Sequence, residues 1–325
     1  MRSMNTRITL PAWWKHGVAG RRARSRLADR VATGLLWTLA LAVVVMLTYV
    51  ILYLLLRGLN VLSWRFIATA NANQDTVGPE VFNTFYIVVL ALMICLPFAM
   101  GAAIYLVEYA RAPRFVRLVR FATETLAGIP SIILALFGFL FFVTQFGHGT
   151  RFGFSRLAGA LTLVILNLPL LLRVTEDALR SVPNDLREAS VALGANKLQT
   201  VFKTLIPASL PSLTTGVILT AGKMIGETAA LIYTAGSNSG GSSGWFSLNP
   251  LLPGDTLSVH IFFLTAENPT ASAALASKAT SALLIILLLT FNLGFRYLAE
   301  ALNRRLRGQE AARRRMGWLA WLSSR

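Results

Sequence analysis

Long uncharged apolar segments limit what this chain can fold into more than any other feature. No charged residue interrupts the first three, which cover residues 31–56, 81–107 and 125–147. Three further apolar segments follow, at residues 157–172, 209–235 and 279–295. A helix needs about 20 largely apolar residues to cross a bilayer. The sequence therefore predicts an all-α, polytopic membrane protein with six transmembrane helices.

The composition excludes both a soluble domain and a disordered chain. Hydrophobic residues make up 55% of the sequence and charged residues only 14%, with a mean hydropathy of +0.59. Such a chain has too little polar sequence to cover a water-soluble core. It also has too much apolar sequence to remain unfolded in water.

The net charge of +17 is distributed unevenly between the loops. Of the 31 lysines and arginines, 25 fall in residues 1–30, 108–124, 173–208 and 296–325, and five in the alternate loops. Because these residues concentrate on the cytoplasmic side of membrane proteins, the pattern predicts a plasma-membrane protein with both termini in the cytoplasm. The excess charge also suits anionic lipid headgroups, and nucleic acid is not expected as a partner.

The fourth apolar segment, residues 157–172, is the weakest of the six. It is short, and Asn167 and Pro169 interrupt it. It is kept as a span because the flanking Arg156 and Arg173 can extend toward the headgroups and lengthen it.

No metal or cofactor site is predicted from residue spacing. His16, His148 and His260 are scattered over separate loops, and Cys95 is the single cysteine. A disulfide within the chain or a cysteine-based metal site is therefore excluded.

Residues 173–208 form a loop in which positive and negative charges nearly balance. Pro183 lies where a helix can begin, with Asp185 and Glu188 near its positive end, and Gly194 is a typical stop signal. A second helix is predicted to follow and to end at Pro207, with an apolar face made of Leu198, Val201, Phe202 and Leu205. This face could enter a groove on another protein or pack against the chain's own helices, and the pattern alone does not choose.

A basic segment precedes this loop, between the second and third spans. Arg114, Arg117 and Arg120 recur every three residues among apolar ones. The spacing fits an amphipathic helix in the headgroup layer, and it fits a charged connector equally well.

The 173–208 loop resembles the EAA loop of ABC importer permeases. The resemblance is carried by Glu188-Ala189-Ser190, then Gly194, then Ile206-Pro207, with Ser190 in place of the family's second alanine. The resemblance implies that residues 183–207 form the coupling helix, which docks on a cytoplasmic ATPase subunit. The docking residues would be Glu188, Ala189, Gly194 and Pro207.

Two shorter motifs resemble the phosphate-specific transport (Pst) permeases, and the PstA type in particular. They are Gly128-Ile129-Pro130-Ser131 and Gly226-Glu227-Thr228-Ala229. The resemblance implies a non-catalytic, pore-forming subunit of an ATP-driven phosphate importer. Its expected partners are two copies of an ATPase subunit, a PstC-like permease subunit and an extracytoplasmic phosphate-binding protein.

The charge and hydropathy pattern predicts a division of the chain into three parts, and the family resemblance runs from about Val81 to Leu302. Residues 1–30 would be a basic cytoplasmic segment, residues 31–302 the six-helix permease domain and residues 303–325 a basic cytoplasmic tail.

Lys223 and Glu227 are the only charged residues inside the fifth span. An ionisable side chain at mid-bilayer costs about 2.5–3.5 kcal/mol, which favours a functional role. Four residues apart, the two would share a helix face and could pair, while Gly222 and Gly226 would let another helix approach closely. An ion pair that only specifies helix packing is the alternative.

The Pst resemblance implies that Arg173, Lys223 and Glu227 line the phosphate pathway. Lys223 stands where that family has arginine, so the charge remains but bidentate hydrogen bonding is lost. We hypothesise that Glu227 accepts a hydrogen bond from the P–OH group, which sulfate lacks at neutral pH. Import of another oxyanion, such as sulfate or molybdate, is an alternative function. An ion-coupled secondary transporter that uses Lys223 and Glu227 as a proton relay is another.

Overall fold

The computed structural model describes residues 12–68, 77–145, 153–236, 247–266 and 270–323. The side chains of residues 12–28, 65, 298 and 302–323 are also outside this description. The predicted basic segments 1–30 and 303–325 therefore lie almost entirely outside the described side chains, as do His16 and His148. Their assignment as separate segments remains a prediction.

Within the described ranges, all regular secondary structure is helical. The α-helices are α1 (Ala12–Leu59), α2 (Trp64–Ala68), α3 (Gly78–Ile104), α4 (Pro113–Gly128), α5 (Ser131–Gly138), α6 (Arg156–Arg180), α7 (Asn184–Ala192), α8 (Lys197–Thr200), α9 (Ile206–Gly226), α10 (Ala229–Thr234), α11 (Leu257–Ala266) and α12 (Ala271–Ser323). Three π-helical segments follow α3, α5 and α8, at Tyr105–Tyr109, Phe139–Gln145 and Val201–Leu205.

Five helical stretches of the described chain are long and apolar enough to cross a membrane. They are Asp29–Leu59, Gly78–Tyr109, Arg156–Arg180, Lys197–Gly226 and Ala271–Ala301. A sixth candidate is a bent pair, Pro113–Gly128 with Ser131–Gln145. The predicted all-α, polytopic fold is confirmed, with five spans, or six if the bent pair counts as one.

The third predicted span, residues 125–147, is wrong as a continuous helix. α4 ends at Gly128, and the next helical segment leaves at an angle of 98°. Ile129 is extended, with ψ at 132°, because the ring of Pro130 disfavours helical backbone in the residue before it. The Gly128-Ile129-Pro130-Ser131 motif is thus a sharp break between two helices.

The fifth predicted span, residues 209–235, is also broken. α9 ends at Gly226, Glu227 is extended with ψ at 114°, and α10 begins at Ala229. Lys223 and Glu227 therefore do not share a face of one continuous helix, as the sequence had predicted. The Gly226-Glu227-Thr228-Ala229 motif is a second helix break.

Pro207 does not end the helix before it, contrary to the prediction. The helical stretch continues from Lys197 through Pro207 to Gly226. Proline lacks an N–H group, and its ring clashes with the carbonyl four residues earlier. The π-helical segment Val201–Leu205 lies directly before it, and the N–H of Ile206 bonds the carbonyl of Val201. The wider turn accommodates the proline within the span.

The chain divides into two compact units, residues 1–56 and residues 57–325. In the first, the apolar side chains between residues 29 and 56 are mostly exposed, which suits a helix surrounded by lipid. In the second, α6 packs against α3, α9 and α10. Its main core contains Ile87, Leu163, Leu171, Met224 and Leu231, all nearly inaccessible to solvent.

Small residues allow the helices of the second unit to approach closely. A Cβ atom on Gly216 would lie only 2.0 Å from Cγ1 of Val174, so α9 and α6 nearly touch there. At Gly222 the neighbour is Asn292 of α12, whose Oδ1 would be 3.3 Å away. The predicted close approach is confirmed for Gly222. Gly226 has no described atom within 4 Å of its Cβ position.

Arg156 does not extend outward to lengthen the fourth span. Its side chain is fully buried, with the guanidinium over the rings of Phe82 and Tyr86 and a hydrogen bond to the carbonyl of Ser247. The span is longer than predicted because α6 continues to Arg180, eight residues beyond the predicted end.

Candidate functional site

The loop predicted to dock on an ATPase subunit, residues 183–207 and called the docking loop below, begins as the sequence predicts. α7 starts directly after Pro183 with Asp185 in its first turn, and it ends at Ala192. Gly194 has a φ of +81°, the left-handed conformation that glycine adopts without steric cost. The N–H of Ala195 then bonds the carbonyl of Ser190 at 3.1 Å and closes the helix end.

Arg187 fixes this loop to the rest of the protein. Its Nε lies 3.1 Å from Oε1 of Glu108, in the π-helical segment after α3. The same guanidinium donates hydrogen bonds of 2.9 Å to the carbonyls of Leu179 and Val182. No local pattern in the sequence distinguishes Arg187 from the other charged residues of the loop.

A second set of polar contacts holds α7 against α8. The hydroxyls of Ser190 and Thr200 are 3.0 Å apart. Asn196 and Gln199 form a reciprocal capping box at the start of α8, which satisfies backbone N–H groups at the helix start. The departure from the EAA pattern at Ser190 thus adds a contact that alanine cannot make.

The apolar face predicted for the second helix is divided between two environments. Val201 and Leu205 are 1% and 0% exposed and pack in a core cluster with residues of α3 and α6, whereas Leu198 and Phe202 are 60% and 59% exposed. Leu193, beside Gly194, is 89% exposed. Packing against the chain's own helices is therefore confirmed for Val201 and Leu205. Entry of Leu198 and Phe202 into a groove on another protein stays a prediction. Glu188 and Ala189 also lie on the exposed side.

Lys223 and Glu227 lie on either side of the end of α9. Lys223 is exposed in the last turn and Glu227 is half-buried in the break. Among the described residues, no ion pair within 4.0 Å joins them. The backbone carbonyl of Glu227 accepts a hydrogen bond of 3.2 Å from the hydroxyl of Ser258. The predicted ion pair is thus not formed in this conformation.

Arg173 is exposed on α6, next to Val174, which meets Gly216 of α9. Lys223 follows Gly216 by two helical turns, or about 10 Å along the axis. The close contact between α6 and α9 thus places both cations on adjoining helices.

The two helix breaks belong to one packing unit. α10, which follows the second break, packs against α5, which follows the first, and both pack against α6. Irregular backbone at membrane depth is tolerated only where protein surrounds it or where it lines a polar cavity. The motifs at residues 128–131 and 226–229, on which the resemblance to phosphate permeases rests, are therefore both breaks between helices that pack together.

Sequence reasoning missed two groups of charged residues. Glu176, buried on α6, pairs with Arg120 of α4 at 2.8 Å and with Arg180 at 3.6 Å. Arg120 thus joins the basic helix α4 to α6. Glu80, Asp255 and His260 also come together, all buried. Local spacing could not have revealed the pair between Arg120 and Glu176, nor that Glu80 joins the other two residues, because these contacts link segments distant in sequence.

Comparison with known proteins identifies the family. Residues 96–308 match the family described as "Binding-protein-dependent transport system inner membrane component". The chain belongs to this family. A Bacillus subtilis relative, "Probable ABC transporter permease protein YqgI", is 37% identical over 86% of this chain and 98% of its own length.

Another relative is the Mycobacterium leprae "Phosphate transport system permease protein PstA", which is 32% identical over 85% of this chain and 91% of its own length. Among solved structures, a bacterial alginate ABC transporter in complex with its alginate-bound periplasmic protein has a TM-score of 0.64 at 13% identity. The match covers 86% of this chain and 97% of that one, and it shows a shared fold.

The protein is therefore a multi-pass inner-membrane permease subunit of an ABC importer. This membrane component is non-catalytic, and its family implies a complex with an ATPase and a binding protein. Membership in this family is incompatible with the alternative of an ion-coupled secondary transporter.

Proposed function

We propose that this permease imports inorganic phosphate as the PstA-type subunit of its transporter. The observation that carries the proposal is the break at Gly226–Thr228, which separates Glu227 from the helix that ends beside Lys223. An exposed ammonium and a carboxylate next to irregular backbone offer both a cation and hydrogen-bonding groups to an anion. The relative named PstA supports phosphate as the anion.

Arg173 supplies a second cation on the adjoining helix α6. Phosphate crosses as a mono- or dianion, and its transfer through a low-dielectric region requires fixed positive charge. Exposed Arg173 and Lys223 provide that charge without a direct ion pair between Lys223 and Glu227 to neutralise it. A partner permease of the PstC type would complete the pathway.

The docking loop would connect this pathway to ATP hydrolysis. Exposed Glu188, Ala189 and Leu193 present a polar and apolar surface to the ATPase subunit, while Arg187 ties the loop to Glu108. ATP binding would close the two ATPase subunits and move the loop, and the attached helices would open the pathway outward. Hydrolysis would reset it. This assignment places the docking loop and both termini in the cytoplasm, as the charge asymmetry predicts.

Uptake of radiolabelled phosphate by the reconstituted transporter tests the proposal. Lys223→Gln should lower uptake about tenfold or more, since losing one charge-assisted hydrogen bond costs about 1.5–3 kcal/mol. Lys223→Arg should retain uptake. The matched control is Arg111→Gln, an exposed cation between α3 and α4. Normal phosphate uptake by Lys223→Gln, or transport of sulfate or molybdate but not phosphate by the wild type, would contradict the proposal.

A further inference from the structure

Three buried side chains from two separated parts of the second unit converge near the start of α3. Glu80 lies in the first turn of α3, Asp255 lies just before α11, and His260 is within α11. Nδ1 of His260 is 3.8 Å from Oδ2 of Asp255 and 4.0 Å from Oε1 of Glu80. Each residue is only 5–7% exposed. The three are called the Glu80 cluster below.

The spacing of the Glu80 cluster fits a shared ion better than direct hydrogen bonds. Separations of 3.8 and 4.0 Å are longer than a hydrogen bond between nitrogen and oxygen. Two ligands at about 2.1 Å from one ion lie about 3.4 Å apart at a tetrahedral angle, and up to about 4.2 Å apart across the ion. The potential ligand atoms all lie within 4.8 Å of one another, so small movements of the side chains would bring them to the separations that a shared ion requires.

Polar atoms around the cluster have unused bonding capacity within the described residues. Oε2 of Glu80, Nε2 of His260 and both side-chain polar atoms of Asn83 are buried without a hydrogen-bond partner there. Asn83 follows Glu80 by about one turn and is completely buried. Such atoms are bonded in the great majority of proteins, since leaving one unsatisfied costs about 1–3 kcal/mol.

The backbone holds these segments together independently of any ion. The N–H of Leu257 donates a 3.0 Å hydrogen bond to the hydroxyl of Thr84. A Cβ on Gly254 would lie 2.7 Å from Nδ2 of Asn83, so the residue before Asp255 packs directly on that amide. The site is thus formed by the fold, and only glycine fits at position 254.

We propose that Glu80, Asp255 and His260 bind a divalent transition-metal ion of the zinc or manganese class. Two carboxylates and an imidazole are a ligand set that these ions accept, and the ion would offset two buried negative charges. It would join the start of α3 to the segment before α11, 175 residues later in the chain. The proposal is independent of which anion the transporter carries.

A protonated His260 between the two carboxylates is the competing explanation. Burial by itself lowers the pKa of His260, but the neighbouring carboxylates of Asp255 and Glu80 raise it above its ordinary value overall. The positively charged imidazolium of His260 would then offset the charge of the two carboxylates in place of a metal ion. The two explanations differ in metal content, which can be measured directly.

The first experiment measures metal in the purified full transporter by inductively coupled plasma mass spectrometry after dialysis against metal-free buffer. We expect about one zinc or manganese ion per permease chain. His260→Gln and Glu80→Gln should lose it, whereas Glu124→Gln, which removes an exposed carboxylate on α4, should retain it. Less than about a tenth of an ion per wild-type chain would overturn the proposal, as would full metal content in both cluster variants.

The second experiment uses the wild type alone, so that unfolded variants cannot obscure the result. A chelator should lower the melting temperature of the transporter, because the ion binds only the folded site. Added Zn²⁺ or Mn²⁺ should restore the temperature, and the same concentration of Mg²⁺ should not. A melting temperature that responds to neither chelator nor metal would support the imidazolium and overturn the metal site.

Discussion

Arg187 of the docking loop and Glu108 at the end of the α3 span form an ion pair of 3.1 Å, with both side chains about one-fifth exposed. This contact joins the segment proposed to meet the ATPase to a membrane-spanning element. The guanidinium also holds the carbonyls of Leu179 and Val182. Force applied to α7 would therefore reach both α3 and α6 through one side chain.

Arg187→Ala should uncouple the docking loop. The substitution leaves Glu108 and two carbonyls without their donor, at a cost of about 1–3 kcal/mol. We expect weaker copurification of the ATPase and at least about tenfold slower substrate uptake, measured in the reconstituted transporter. The control is Arg111→Ala, which removes an exposed arginine three residues after Glu108. It should leave ATPase copurification and substrate uptake unchanged. Wild-type uptake by Arg187→Ala would show that the ion pair does not transmit motion.

Gly194→Ala should destabilise the turn between α7 and α8. An alanine at a φ of +81° costs about 1–2 kcal/mol, whereas the space around Gly194 is open. The strain should therefore weaken ATPase docking and leave insertion of the permease unaffected. Gly101→Ala in α3 is the matched control, since no described atom lies within 4 Å of its Cβ position. Equal ATPase copurification with both variants would exclude a role for the left-handed turn.

Gly216→Ala should force α9 away from α6. Its Cβ would lie 2.0 Å from Cγ1 of Val174, and the β-branched valine has few other rotamers available in a helix. We expect the free energy of unfolding to fall by about 1–3 kcal/mol, which would lower the melting temperature of the purified transporter. The double variant Gly216→Ala/Val174→Ala should recover most of it. Failure of the second substitution to restore the melting temperature would mean that this contact does not set the helix spacing.

Glu227→Gln should reduce discrimination between phosphate and sulfate. A carboxylate accepts a hydrogen bond from the P–OH of hydrogen phosphate but repels sulfate, which has no proton to donate at neutral pH. A neutral amide donates to either anion. Competition of unlabelled sulfate against labelled phosphate measures the change, with Glu124→Gln as the control. An unchanged preference would refute the hypothesis for Glu227 while leaving phosphate import itself untouched.

Local sequence signals were sufficient for the helical type of the elements and for the approximate positions of the apolar spans. Apolar length identified the spans, since the bilayer thickness sets a minimum for any helix that crosses it. Gly194 marked the end of α7 because glycine adopts the left-handed backbone conformation without the steric cost that other residues meet there. The EAA resemblance predicts that residues 183–207 dock on an ATPase subunit, and comparison with known proteins confirmed the permease family.

Hydropathy could not detect the two helix breaks. Residues on both sides of Gly128–Pro130 and of Gly226–Thr228 are apolar, so a count of apolar residues treats each segment as one helix. Proline geometry accounts for the first break. The second break is accompanied by packing of α10 on α5 and α6 and by the hydrogen bond from the hydroxyl of Ser258 to the carbonyl of Glu227.

The sequence by itself determined the all-α membrane fold and the turn at Gly194, because both depend on residues close together in the chain. Only the tertiary structure decided that Val201 and Leu205 face the core while Leu198 and Phe202 remain exposed. It also brought Glu80 to Asp255 and His260, and Arg187 to Glu108. Contacts between residues distant in sequence depend on how helices pack, and helix packing leaves no period in the sequence that a local pattern can detect.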